Sequence, residues 1–160
     1  MLLSAIDLVA FLCLVVQFVI AGYFLYLVYW SIELPAADVA GPVLPEELPH
    51  VLVQIPVYNE PLVIDRVLAA AGALDWPRDK LAIQLLDDST DITSDIAAHA
   101  VARLKRDGVD VVHVRRDDRS GFKAGALAEG LALSDAPYIA VFDADFMPPE
   151  NWLRGAMAAL

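Results

Sequence analysis

Two alternating carboxylates, Asp143 and Asp145, follow the apolar run 138–142 at a spacing that suits metal chemistry. After a buried strand, side chains two residues apart lie on the same side of the backbone. Unpaired carboxylates placed this way repel each other, and a hard divalent cation relieves that repulsion. Such ions often take their remaining ligands from phosphate oxygens. The pair therefore predicts a Mg²⁺ or Mn²⁺ site that is completed by a diphosphate.

Polar residues also follow two earlier apolar runs, at 58–60 and at 87–91. A helix N-cap explains a single Asp or Thr at such a position, because its oxygen accepts a hydrogen bond from an unpaired backbone N–H. That interpretation is favoured for Asp91. It does not account for Asp143 and Asp145 together, since one cap requires only one carboxylate.

A cationic segment, residues 115–123, carries four of the 11 Lys and Arg residues of a chain whose formal net charge is −11. It contains the turn Gly121–Gly125, in which Lys123 comes just before a helical stripe and could help to hold an anion. A solvated run whose Arg and Asp residues pair with one another is equally compatible with the sequence. Neither a Walker A loop nor a G-x-G-x-x-G after the first strand is present, so a P-loop and a dinucleotide site are not predicted.

Apolar runs alternate with helical periodicity from residue 50 onward, which predicts an α/β fold with a mostly parallel sheet and flanking helices. In such a sheet the carboxyl ends of all strands meet at one edge, where ligands usually bind. We therefore expect the acidic and cationic segments to converge there. The predicted strands are 51–57, 81–86, 109–114 and 138–142, and the predicted helices are 62–73, 92–106, 124–131 and 150–160.

The N-terminal region lacks charge over 23 consecutive residues, Leu8–Trp30, and this predicts one transmembrane helix over about 8–30 within a region 1–34. A cleaved signal peptide is the main alternative, but no Lys or Arg precedes Arg66 to form its basic end. Four prolines within 35–49 predict an extended linker, followed by a domain over 50–160.

Composition narrows the function classes further. The acidic balance argues against a nucleic-acid-binding protein, which needs a basic face to neutralise phosphates. A single cysteine, Cys13, excludes an intrachain disulfide and a cysteine-based zinc site.

Four segments in this order and spacing resemble the family 2 glycosyltransferases of GT-A fold. The resemblance covers roughly 48–160 and is strongest to the membrane-embedded processive branch, which includes cellulose synthase and cellulose-synthase-like glucan and mannan synthases. The segments are Val53–Glu60, Leu86–Asp91, Arg119–Leu127 and Phe142–Phe146.

The resemblance implies a role for each matching residue. Tyr58 and Glu60 would line the nucleotide pocket. Asp87 and Asp88 would meet the base and ribose, with Asp88 the more direct contact.

The resemblance implies that the other three residues act near the phosphates. Lys123 would lie beside them, and Asp143 and Asp145 would form the D-x-D pair, in which Asp145 would be the firmer metal ligand and Asp143 would also lie close to the donor.

The resemblance also implies an activity. It is the metal-dependent, inverting transfer of a sugar to a growing polysaccharide or a glycolipid, with a UDP-sugar as the favoured donor and GDP-mannose as the alternative. The domain would lie on the cytoplasmic side of a bacterial inner or plasma membrane, with the lipid bilayer as a partner. The branch's T-E-D-like segment, which supplies the general base, and its Q-x-x-R-W segment do not occur before Leu160. We therefore expect an N-terminal fragment that holds the donor half of the site, has no catalytic base of its own and shows little activity alone.

Three alternatives remain. A nucleotidyltransferase of similar fold would also bind a metal ion beside a nucleotide. A membrane-tethered remnant without activity would retain only nucleotide binding. A haloacid dehalogenase-like phosphatase is disfavoured, because its D-x-D follows the first strand rather than the fourth.

Overall fold

The computed structural model of this protein describes residues 5–33, 44–116 and 118–160. The chain divides into two units, Met1–Ala40 and Gly41–Leu160, which are described separately below. Of the predicted linker, residues 35–43 lie outside the described part, and the predicted domain boundaries stay a prediction.

The described residues of the first unit, 5–33, form helix α1 (Ala5–Glu33). Its segment Asp7–Ile32 is long and apolar enough to cross a bilayer, judged by length and composition. Near the C-terminal end, the rings of Tyr26 and Tyr29 pack edge-on against Trp30, with centroids 6.2 and 6.0 Å away. Aromatic residues of this kind favour the lipid headgroup level. A signal sequence meets the same criteria of length and composition, so the membrane span also stays a prediction.

The second unit is a parallel sheet with helices on both faces, which confirms the predicted α/β fold. The strands are β1 (Val51–Val57), β2 (Leu81–Asp87), β3 (Asp110–Arg115) and β4 (Tyr138–Val141). The helices are α2 (Ile64–Gly72), α3 (Thr93–Arg106), α4 (Phe122–Leu131) and α5 (Trp152–Ala158), and a short 3₁₀ turn spans Arg78–Lys80. The strand order is β3-β2-β1-β4, and every pairing is parallel.

Both faces of the two central strands are covered, which explains why β1 and β2 are almost continuously apolar. On one face, β1 and β2 form the main core with α2 and α3, and that core includes the buried residues Val53, Ile55, Ile83 and Leu85. Helix α4 covers the opposite face of the same strands. This arrangement brings the N-terminus of α4 to the carboxyl edge of the sheet.

A buried amide pair lies under α4. Gln54 and Gln84 are register partners on β1 and β2, and Gln54 Nε2 donates to Gln84 Oε1 at 2.9 Å. Gly130 approaches them so closely that an added Cβ would lie 2.7 Å from Gln84 Oε1 and 2.6 Å from Leu86 Cδ2. A small residue at 130 therefore sets how near α4 lies to the sheet.

We expect Gly130→Ala to destabilise the fold by about 1–3 kcal/mol, because the added methyl group overpacks this contact. Urea unfolding measures the effect. The matched control is Gly155→Ala in α5, where an added Cβ meets nothing within 4 Å. That change should stabilise the protein by about 0.4–1 kcal/mol, since Ala restricts the unfolded chain. Equal effects of the two substitutions would argue against the close packing of α4.

Candidate functional site

A cavity of about 390 Å³ lies at the carboxyl edge of the sheet, between the ends of β1, β2 and β4 and the start of α4. Its size is within the usual range for small-molecule sites. Six of the seven residues predicted for the site line it, and only Asp87 does not. The polar lining consists of Tyr58, Glu60, Asp88, Arg119, Lys123, Asp143 and Asp145.

The D-x-D pair lies in a turn just after β4. The Phe146 N–H donates to the Asp143 carbonyl at 2.9 Å and closes the turn. Ala144 is buried, whereas the carboxylates of Asp143 and Asp145 on either side of it face the cavity. Lys123, near the start of α4, forms an ion pair with Asp143. The turn thus presents two carboxylates to one space, as the alternation in the sequence predicts.

Excess negative charge collects at this end of the cavity. The pKa of Glu60 is raised above its ordinary value by burial and by the nearby charges of Asp145 and Asp143. Within the described ranges, no group of three or more His, Cys, Asp or Glu side chains could hold a metal ion. Two carboxylates without a third protein ligand fit a Mg²⁺ or Mn²⁺ ion that takes its other ligands from phosphate and water.

Asp88 is held at the cavity wall by Arg116. The guanidinium donates to both carboxylate oxygens, Nε to Oδ1 at 2.8 Å and Nη2 to Oδ2 at 2.5 Å, and this hydrogen bonding raises the pKa of Arg116. The two side chains are only 5% and 7% exposed. Arg116 also donates to the carbonyls of Ser120 and Phe122, at 3.2 Å each. It therefore connects the loop after β2 with the turn that begins α4.

Arg119 covers one face of Tyr58. Its guanidinium carbon lies 3.4 Å from the centroid of the Tyr58 ring and 5.1 Å from that of Phe122. Sequence reasoning did not single out Arg119 or Arg116, although both belong to the cationic segment 115–123. Each interpretation of that segment holds for some of its members: Arg116 pairs with an acid, whereas Arg119 and Lys123 face the cavity.

The turn that begins α4 requires the glycines at its two ends, Gly121 and Gly125. Gly121 has φ +71°, and a Cβ on Gly125 would lie 2.1 Å from the Ser120 carbonyl oxygen. Phe122 also adopts a positive φ, +49°, which is rare for a bulky residue. Such strained backbone concentrates at functional sites. Here it brings Lys123 to the cavity within the first turn of α4.

Asp87 lies behind the cavity instead of in its wall. Its side chain is fully buried. Oδ1 accepts the Ser89 N–H at 2.8 Å, and Oδ2 accepts the Ser94 hydroxyl at 2.7 Å and His113 Nε2 at 2.8 Å. Burial alone would raise the pKa of Asp87, but the hydrogen bonds from His113, Ser89 and Ser94 outweigh it and hold the pKa well below its ordinary range. The structure therefore does not bring this carboxylate to a position where it could touch a nucleotide.

The depressed pKa of Asp87 predicts an acid-dependent loss of stability. The unfolded chain takes up this proton near the ordinary Asp pKa of 3.8, whereas the folded chain does so only at lower pH. The stabilisation is therefore complete above that value and is lost as pH falls towards the folded pKa. We expect Asp87→Asn to lower the free energy of unfolding at pH 7 by about 1–3 kcal/mol and to flatten its fall in acid.

Denaturant unfolding between pH 7 and pH 2 tests this prediction. Asp65→Asn on the exposed surface of α2 is the control, because its ion pair with Arg103 is half-exposed and such pairs contribute about 0–1 kcal/mol. An Asp87→Asn profile parallel to that of the wild type would contradict the assignment.

Comparison with known proteins decides the family. The profile described as "Glycosyl transferase family 2" matches residues 52–160. The chain belongs to glycosyl transferase family 2. This confirms the resemblance seen in the four sequence segments, and every residue that lines the cavity lies inside the matched range.

The curated relatives of this family 2 chain include plant enzymes. "Glucomannan 4-beta-mannosyltransferase 7" of Arabidopsis thaliana is 45% identical over 110 residues, which is 66% of this chain and 20% of the relative. "Probable glucomannan 4-beta-mannosyltransferase 11" of Oryza sativa subsp. japonica is 45% identical over 109 residues, which is 66% of this chain and 19% of the relative. The chain thus spans about a fifth of the length of these relatives.

Solved structures support the GT-A fold of the family 2 domain. The mannosyltransferase PcManGT from Pyrobaculum calidifontis, solved "in complex with GDP-Man and Mn2+", has a TM-score of 0.67 and 31% identity. That match covers 83% of this chain and 39% of PcManGT. TarS from S. aureus, solved in complex with UDP-GlcNAc, has a TM-score of 0.58 and 22% identity, over 68% of this chain and 30% of TarS, and shows the fold alone.

Proposed function

We propose that this chain forms the donor-binding part of a membrane-bound glycosyltransferase that uses a nucleotide-sugar and a divalent metal. The observation that carries the proposal is that Asp143, Asp145, Lys123 and Asp88 line one cavity, although they come from three separate segments of the chain: the turn after β4, the start of α4 and the loop after β2. A nucleoside diphosphate needs both a cation beside its phosphates and polar groups around its base and ribose. This cavity offers both.

The proposed roles follow from position. Lys123 and Arg119 line the cavity and would lie beside the diphosphate. Asp143 and Asp145 would hold the metal, with Asp145 the less engaged because Lys123 already pairs with Asp143. A bound Mg²⁺ or Mn²⁺ would supply Lewis-acid stabilisation of the charge on the leaving diphosphate. Tyr58, Glu60 and Asp88 would line the nucleoside part, and Asp87 would act on it only through the Asp88–Ser89 backbone.

The donor that we favour is GDP-mannose. Sequence reasoning favoured a UDP-sugar, but PcManGT is described with GDP-Man and Mn²⁺, and the plant relatives are named as mannosyltransferases. The proposed acceptor is a polysaccharide or glycolipid, with transfer by inversion. For this chain itself the proposed role is donor binding. Helix α1 would anchor the parent protein in a lipid bilayer.

Calorimetric titration of the detergent-solubilised chain with GDP and with UDP, each with and without Mn²⁺, tests the proposal. We expect binding that requires Mn²⁺ and is tighter for GDP. Tighter binding of UDP would overturn the preference for GDP-mannose but not the donor site. If neither nucleotide bound in the presence of Mn²⁺, the proposed function would be wrong.

A further inference from the structure

We propose that His113 is a positioning residue for the nucleotide-binding loop 88–90, and that it acts through the buried carboxylate of Asp87. The inference rests on the proposed function, because that loop carries Asp88 at the wall of the donor cavity. His113 itself lies on β3, outside the cavity lining.

The geometry assigns His113 a donor role. In the parallel register of β2 and β3, Leu85 is opposite His113 and Asp87 is opposite Arg115, so His113 and Asp87 lie on the same face of the sheet. The imidazole is 15% exposed, the carboxylate is fully buried, and Nε2 lies 2.8 Å from Oδ2. An ionised carboxylate only accepts hydrogen bonds, so Nε2 must carry the proton and donate it.

A chain of hydrogen bonds leads from this contact to the cavity. Asp87 Oδ1 accepts the N–H of Ser89, which fixes the backbone directly after Asp88. The Ser89 hydroxyl oxygen in turn accepts the Asn59 N–H at 3.0 Å. Asn59 has φ +55° and lies between the cavity residues Tyr58 and Glu60. The orientation of the Asp87 carboxylate therefore helps to fix two walls of the cavity, the one formed by Asp88 and the one formed by Tyr58 and Glu60.

A second contact from β3 supports the same loop. Arg115 Nη2 donates to the Ser89 carbonyl at 3.2 Å, from the face of β3 that also carries His113. Alternating residues of one strand therefore hold both the carboxylate that orients Ser89 and the Ser89 backbone. Without the His113 donor, the buried carboxylate would lack one of its three partners and would turn or draw in water. The loop 88–90 would then lose its fixed position.

Substitution with amides separates a donated hydrogen bond from simple packing. In His113→Gln the side-chain amide can reach the position of Nε2, in His113→Asn it is too short, and in His113→Leu no donor remains. We expect the Kd for GDP with Mn²⁺ to rise about 10-fold in the Leu and Asn variants, since a hydrogen bond to a charged group is lost. The Gln variant should stay within about 3-fold of wild type by the same reasoning. His99→Gln, on the exposed surface of α3, should have no effect.

Amide hydrogen exchange in the nucleotide-free chain provides a readout that does not depend on the proposed function. We expect the Ser89 and Asn59 amides to exchange about 10-fold faster in the Leu and Asn variants and near the wild-type rate in the Gln variant. If wild type bound no nucleotide, the proposed function would fail while the exchange rates still decided the role of His113. If the Leu variant did not fold, comparison of Asn with Gln would carry the test. Equal exchange in Asn, Gln and wild type would overturn the inference, and so would Gln exchanging as fast as Asn.

Discussion

Replacing Asp145 with asparagine is expected to abolish Mn²⁺-dependent nucleotide binding, with a loss of affinity of about 100-fold or more. Loss of a side chain that only hydrogen-bonds to a metal ligand weakens metal binding by about 10–100-fold. Loss of a carboxylate that binds the metal directly should weaken it by more. Asp143 and Asp145 are the two carboxylates that the turn after β4 presents to the cavity, and Asp143 is already paired with Lys123. The amide of asparagine removes the negative charge and keeps the shape.

Calorimetric titration with GDP at fixed Mn²⁺ measures the effect, and the free energy of unfolding establishes that the variant is folded. Asp135→Asn is the matched control, because Asp135 is exposed just before β4, at the opposite edge of the sheet. It should bind as wild type does. Unchanged nucleotide affinity in Asp145→Asn would contradict the metal assignment.

Replacing Arg116 with methionine is expected to destabilise the fold by about 3 kcal/mol, because it leaves the nearly buried carboxylate of Asp88 without its partner. The two side chains are 7% and 5% exposed and are joined by two hydrogen bonds. The loss of Arg116 also removes its contacts with the Ser120 and Phe122 carbonyls. Nucleotide binding should therefore weaken together with stability.

Urea unfolding tests this prediction through a double-mutant cycle. The double substitution Arg116→Met with Asp88→Asn should recover part of the lost stability, since no unpaired charge remains. Arg103→Met is the control, because its ion pair with Asp65 is half-exposed and should be worth about 1 kcal/mol or less. If Arg116→Met were no more destabilising than the control, the pair would not hold the loop after β2.

The bounds of the central strands could be predicted closely, because strands that are buried on both faces consist of continuous apolar residues in the sequence. Strand β1 has the predicted bounds, 51–57, and β2 extends one residue beyond the predicted 81–86. Helix α2 begins at Ile64 rather than Leu62, since the Val63 and Ile64 N–H groups both bond to the Glu60 carbonyl in a turn. Periodicity does not encode such a turn.

The positions of the site residues could be predicted where the order of the strands determines them. They could not be predicted where they depend on contacts with individual partner residues. The pair Asp143 and Asp145 follows β4 directly, so the parallel order alone brings it to the ligand edge. Asp87 and Asp88 are neighbours whose side chains point to opposite sides, and only the register with β3 determines that Asp87 meets His113. Arg119 meets the ring of Tyr58 across the fold, a contact that no local pattern signals.

The donor cavity is tested most directly by diffraction from crystals of the chain grown with GDP and Mn²⁺, with anomalous data that locate the metal. We expect a manganese peak about 2 Å from a carboxylate oxygen of Asp145, the diphosphate beside Lys123, and the nucleoside against Tyr58 and Asp88. A metal bound away from the D-x-D pair would contradict this assignment. So would a nucleotide held at the opposite edge of the sheet, near Asp110 and Asp135.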